Sequence, residues 1–185
     1  MATVDKDTAH WRIYGGGGLL VGGILWLLAV IIGQVAPDAG TAVKWLGVVG
    51  LVVVAIGFVL VAWGQTGSNG AVGSSMLGKV SLLAAGLGTL IWALVPAFGG
   101  TRDGVLGWAI AILVVLGTLL GAVVVMQKGV AKGLAKWAMF LVALLALLYF
   151  LGTVAAVAAL ANWVIGLVFA IVVALTGLIY VMNKK

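Results

Sequence analysis

Few side chains in this sequence can do chemistry. His10 is the only histidine, Cys and Glu are absent, and the acids are Asp5, Asp7, Asp38 and Asp103. Hydrolysis, phosphoryl transfer and metal chemistry need a positioned base, a nucleophile or a cluster of ligands. His10 stands alone in a polar tail and reads as a solvated or interfacial group. Ser68, Ser74, Ser75 and Ser81 lie in or beside one Gly/Ser-rich stretch, with no histidine to activate them. The expectation is a chain that is not an enzyme, with no catalytic residue, no cofactor and no metal. Without cysteine there is also no disulfide or reactive thiol.

The remaining polar candidates are Trp26, Thr89, Thr118, Tyr149, Thr153 and Thr176, each inside a long apolar run. Such groups bond a neighbouring helix or the preceding turn, and as a set they could line a small polar cavity. Ion-coupled transport normally uses a charged group at bilayer depth, which costs about 2.5–3.5 kcal/mol on insertion scales. All ten basic and four acidic residues fall at segment ends or between segments. Proton- or sodium-driven transport is therefore disfavoured.

The elements that carry these groups are membrane spans. The chain has 185 residues, 65% of them hydrophobic and 8% charged. That composition belongs to polytopic membrane proteins. Gly104 to Lys128 has no internal charge; as a helix it is roughly 35 Å long, enough for a hydrocarbon core about 30 Å thick. The same criteria give six spans, at about 13–35, 44–63, 79–97, 104–127, 136–158 and 162–182, after a polar tail at 1–12. The tail carries too much acid for a signal-peptide n-region, so the first span is expected to be uncleaved. Pro37 and Pro96 with nearby glycines end the first and third spans. Gly64 to Gly78 reads as a flexible loop. Residues 137–182 are far too long for one crossing, and Asn162 followed by Trp163 is the best break, as N-cap and interfacial anchor. The fold class expected is all-α: one domain of six transmembrane helices arranged as three hairpins.

Charge sets the orientation. Six spans put Lys6, Arg12, Lys79, Lys128, Lys132, Lys136, Lys184 and Lys185 on one side, with Lys44 and Arg102 on the other. By the positive-inside rule both termini are cytoplasmic, in a cell membrane. The net charge of +6 is thus accounted for by lipid and not by nucleic acid. Lys128, Lys132 and Lys136, four apart, read as one helical face that anchors the chain or contacts anionic lipid. Trp11, Trp45, Trp63, Trp108, Trp137 and Trp163 fall near span ends and read as aromatic belts.

Glycine supplies the packing signal. Gly18/Gly22 and Gly117/Gly121 are GxxxG pairs, which let helix backbones approach within this chain, in a homo-oligomer or in a larger membrane complex. A 60-residue offset aligns Gly57, Gly117 and Gly177, which reads as three copies of a two-helix hairpin. Gly57, Gly117, Pro37, Pro96 and the hydropathy pattern together resemble the HdeD-type acid-resistance membrane proteins of bacteria. The third hairpin departs from that pattern in lacking the proline. The resemblance implies a six-span bacterial inner-membrane protein in envelope stress tolerance or membrane organisation, and carries over no catalytic residue. The other two readings are an accessory subunit at the edge of a larger complex and a narrow passive channel for a small neutral solute.

Overall fold

The computed structural model describes residues 11–64, 70–128, 131–157 and 163–183. It is all-α. A π-helical turn, Trp11–Gly16, leads into α1 (Gly17–Val35), and a 3-10 turn, Pro37–Ala39, leads into α2 (Gly40–Trp63). Then follow α3 (Met76–Ala97), α4 (Gly104–Lys128), α5 (Ala135–Thr153) and α6 (Trp163–Met182). Six helical segments are long and apolar enough to cross a membrane. The protein is a multi-pass integral membrane protein of six spans, and its apolar outer surface implies contact with the lipid bilayer.

Each helix packs on its neighbours in sequence, and α6 returns to pack on α1, so the bundle is a closed ring. The α5–α6 seam is the loosest of the six. Backbones come close because small residues face one another where a side chain would keep them apart. A methyl built on Gly18 lies 2.9 Å from the Gly57 Cα, and one on Gly22 lies 2.6 Å from the Val54 nitrogen. On Gly117 it lies 2.7 Å from the Ala85 nitrogen, and on Gly121 it meets the Leu82 side chain at 2.5 Å. Gly57 and Gly117 thus sit against the first helix of their own hairpins, α1 and α3. Gly177 does not; its methyl would lie 2.5 Å from the Gly16 carbonyl, so the third hairpin uses its glycine to close the ring on the first.

Several local features differ from the expectations. The stretch before α3 is packed from Gly70 onward: Ala71 and Val72 are wholly buried, and the Ala71 N–H donates to the Val61 carbonyl at 2.8 Å. Two apolar residues in a Gly/Ser-rich segment suffice to dock it under the ring; residues 65–69 lie outside the described set. Trp11 is buried at 1% exposure, edge-on to Tyr180 at 5.4 Å, and so is not a belt residue. α5 ends at Thr153, short of position 158, and Ala156 adopts a φ of 52° in the chain reversal that follows. The expected break at Asn162 lies outside the described residues.

Lys128, Lys132 and Lys136 do not share one helical face. α4 ends at Lys128 and α5 begins at Ala135, with Gly133 at a φ of 57° between them. A left-handed glycine cannot continue a helix, and the 3.6-residue periodicity is lost there.

Candidate functional site

The chain is organised around a cavity at the end of the ring where α1 meets α2 and α3 meets α4, here called the hairpin-loop face. What positions its key side chain is the end of α3. The Gly99 N–H donates to the Pro96 carbonyl at 3.2 Å and the Gly100 N–H to the Val95 carbonyl at 2.9 Å. Gly99 has a φ of 81°, so this is a Schellman ending, which reverses the chain across the helix end. Gly104, at a φ of 62°, turns it again into α4. The three residues left between Gly100 and Gly104 are therefore held over the ring, and Arg102 turns inward.

The Arg102 guanidinium stacks on the indole of Trp92, 4.2 Å from the ring centroid. Its Nε is buried and has no hydrogen-bond partner among the described residues. Burial lowers the Arg102 pKa from its ordinary value, and the neighbouring Tyr149 hydroxyl opposes that shift. The group stays charged at neutral pH, because arginine starts far above it. The result is a half-buried cation, stabilised by an aromatic face and without an anion among the described residues.

Beneath Arg102 the cavity holds about 390 Å³. Lys44 stands on its α2 wall, Trp26, Val48 and Leu51 form its sides, and Pro96 and Ala97 its rim. No acid lines it. The floor is an aromatic cluster to which each odd-numbered helix contributes: Trp26 from α1, Trp92 from α3 and Tyr149 from α5. Tyr149 meets Trp26 and Trp92 edge-on, both at 6.0 Å between centroids. Trp26 also meets Phe169 at 5.2 Å, and Trp92 meets Phe150 at 4.9 Å. Edge-to-face pairs contribute about 0.5–1.5 kcal/mol each beyond their buried area, which stabilises the floor.

Below the floor, between Val54, Phe58, Val114 and Val173, only about 20 Å³ is open, roughly one water. Leu19, Val61, Leu82, Val125 and Met139 then fill the ring, all wholly buried. The cavity is thus a vestibule closed at its inner end. It is not closed on the side: a groove of about 800 Å³ between α1 and the α5–α6 edge shares Trp26, Ala29, Val30 and Tyr149 with it. Gly33 of α1 and Gly152 and Gly166 of the third hairpin line that groove and put no side chains into it.

The hydroxyls picked out from the sequence mostly serve their own helices. Ser81 donates to Leu77, Thr89 to Ala85, Thr118 to Val114 and Thr153 to Tyr149, at 2.7 to 2.9 Å. Thr176 reaches across to the Ala138 carbonyl at 3.4 Å. Of the expected polar set, Trp26 and Tyr149 line the vestibule and Thr89 the small space under its floor. The glycines Gly18, Gly22, Gly57, Gly117, Gly121 and Gly177 lie at helix contacts and do not line it. Lys128, Lys132 and Lys136 lie at the opposite face, beside the α4–α5 turn. Among the described residues no three His, Cys, Asp or Glu side chains group as metal ligands.

Arg102, Lys44 and Trp92 were missed as site residues. The available signal was charge placement: Lys44 and Arg102 are the two basic residues assigned to the sparsely charged side, and the structure puts both on one cavity. Comparisons with protein-family models, with curated proteins and with solved structures found no match for this chain.

Proposed function

We propose that this integral membrane protein is a non-catalytic receptor of the HdeD-like kind, contributing to envelope stress tolerance or membrane organisation by holding a small molecule in its vestibule. The observation that carries the proposal is the closed-ended cavity with an aromatic floor and, at its mouth, a half-buried Arg102 whose Nε has no hydrogen-bond partner among the described residues. Concave, largely apolar sites with a few placed polar groups are where small ligands bind. With the charge bias of the chain, the vestibule opens on the non-cytoplasmic side and both termini are cytoplasmic.

A passive channel is less well supported. Leu19, Val61, Leu82, Val125 and Met139, all wholly buried, fill the ring beneath the vestibule, and a solute would have to displace them together. Reconstitution into liposomes tests the reading: no flux of water or small neutral solutes above protein-free vesicles is expected. Rapid flux would replace the receptor with a channel. A stoichiometric protein that co-purifies in mild detergent and shields the vestibule would favour the subunit reading.

A further inference from the structure

We propose that the vestibule takes one anionic amphiphile, its carboxylate or phosphate head between Arg102 and Lys44 and its apolar body against Trp26, Trp92 and Tyr149. The inference rests on the receptor reading and gives it a ligand class.

The head follows from charge. Lys44 and Arg102 both line the cavity, whereas Asp38 and Asp103, the acids nearest in sequence, do not. The Arg102 guanidinium carbon lies 4.2 Å from the Trp92 ring centroid, its buried Nε has no hydrogen-bond partner among the described residues, and the group is a planar fork of N–H donors. That fork matches a carboxylate or phosphate in two-point contact. A buried donor with no partner is a standing cost in the empty protein, and an oxyanion removes it. A neutral ligand does not.

The body follows from the walls. At roughly 30 Å³ for each water-sized group, 390 Å³ accommodates about a dozen heavy atoms. Trp26, Leu51 and Trp92 offer them apolar and aromatic surface. The lateral groove supplies the reason for an amphiphile: it joins the vestibule at Trp26 and Tyr149 and runs between α1 and the α5–α6 edge. A chain lying in the bilayer can enter sideways, with its head rising to Arg102. A free long-chain carboxylate and the phosphate head of an anionic lipid present the same chemistry to this site.

The test uses the full chain in dodecyl maltoside and counts adducts by native mass spectrometry. Dodecanoate, phosphatidylglycerol and dodecanol are titrated separately. A single saturable adduct is expected with dodecanoate, with phosphatidylglycerol or with both, and the pattern identifies the source. Dodecanol should bind at least about tenfold more weakly, as should the anion to Arg102→Gln, since a hydrogen bond to a charged group contributes about that factor or more. Arg102→Lys should recover part of the loss. Lys44→Gln should cost about threefold, the smaller effect of a more hydrated charge. Ala97→Phe fills the rim with both cations intact, so it should block binding even if Arg102→Gln fails to fold.

Anion binding that survives both Ala97→Phe and Arg102→Gln overturns the proposal. Dodecanol binding as tightly as dodecanoate, with Ala97→Phe blocking both, overturns the anionic head while leaving the receptor intact. No saturable adduct with any of the three removes the ligand class proposed here, and the liposome experiment then judges the receptor reading by itself.

Discussion

Gly22→Ala should destabilise the bundle by an amount the geometry sets. The added methyl lies 2.6 Å from the Gly50 oxygen and from the Val54 nitrogen, where ordinary contact begins at 3.4 Å. Both neighbours are backbone and cannot turn aside, so α1 and α2 must separate by about 3.4 − 2.6 = 0.8 Å. A gap of 0.5–1 Å forfeits roughly a quarter to a half of each nearby dispersion contact. Overpacking of this kind costs about 1–3 kcal/mol. Alanine is also the better helix former, by about 1 kcal/mol, which masks part of the loss. Gly17→Ala removes the ambiguity: Gly17 is in α1 too, and a methyl there meets nothing within 4 Å. The two variants share the propensity gain, so the difference between them, about 1–3 kcal/mol, isolates the contact. Reversible unfolding in mixed micelles titrated with dodecyl sulfate, followed by tryptophan fluorescence, measures it. Equal stability of the two variants would refute the close approach of α1 and α2.

Three further outcomes are expected. Ala156→Gly should stabilise the protein by about 1 kcal/mol in the same assay, because Ala156 holds a φ of 52° at which a Cβ is strained. Thr118→Val should change stability by less than about 1 kcal/mol, since its hydroxyl bonds only to the Val114 and Val115 carbonyls of its own helix. Gly23→Ala should cost about 1–3 kcal/mol in the same assay, because the added methyl lies 2.7 Å from the backbone nitrogen of Ala174 on α6.

The spans were legible because bilayer thickness leaves a coarse mark: a charge-free run of about 20 residues reads as a crossing whatever its neighbours do. Fold class and span number needed nothing finer. The vestibule depended on finer causes. Arg102 reads as a loop charge beside Asp103, and what turns it inward is a pair of left-handed glycines, Gly99 and Gly104, in a chain with 29 glycines. Trp26 and Tyr149 could be placed at membrane depth, but their meeting at the ring centre is a consequence of closure by α6 on α1. Closure depends on Gly177 facing Gly16, which the 60-residue offset does not distinguish from Gly57 facing Gly18. Trp11 sits at a span end, yet the π-helical turn of Trp11–Gly16 rotates it onto Tyr180. The end of α5 carries little signal: Gly152 is its penultimate residue, but Thr153, Val154 and Ala155 after it carry no turn chemistry.

A receptor of this kind requires a vestibule open at one face and closed beneath its floor. The sequence has no cysteine, so single substitutions Gly47→Cys, Ala97→Cys and Val173→Cys can each be probed with a membrane-impermeant maleimide, applied first outside sealed vesicles and then inside. Gly47→Cys and Ala97→Cys should label from the hairpin-loop face alone, and Val173→Cys, at 1% exposure, from neither. Labelling of Val173→Cys from either side, or of Gly47→Cys from both, would show a path through the ring and contradict the closed vestibule.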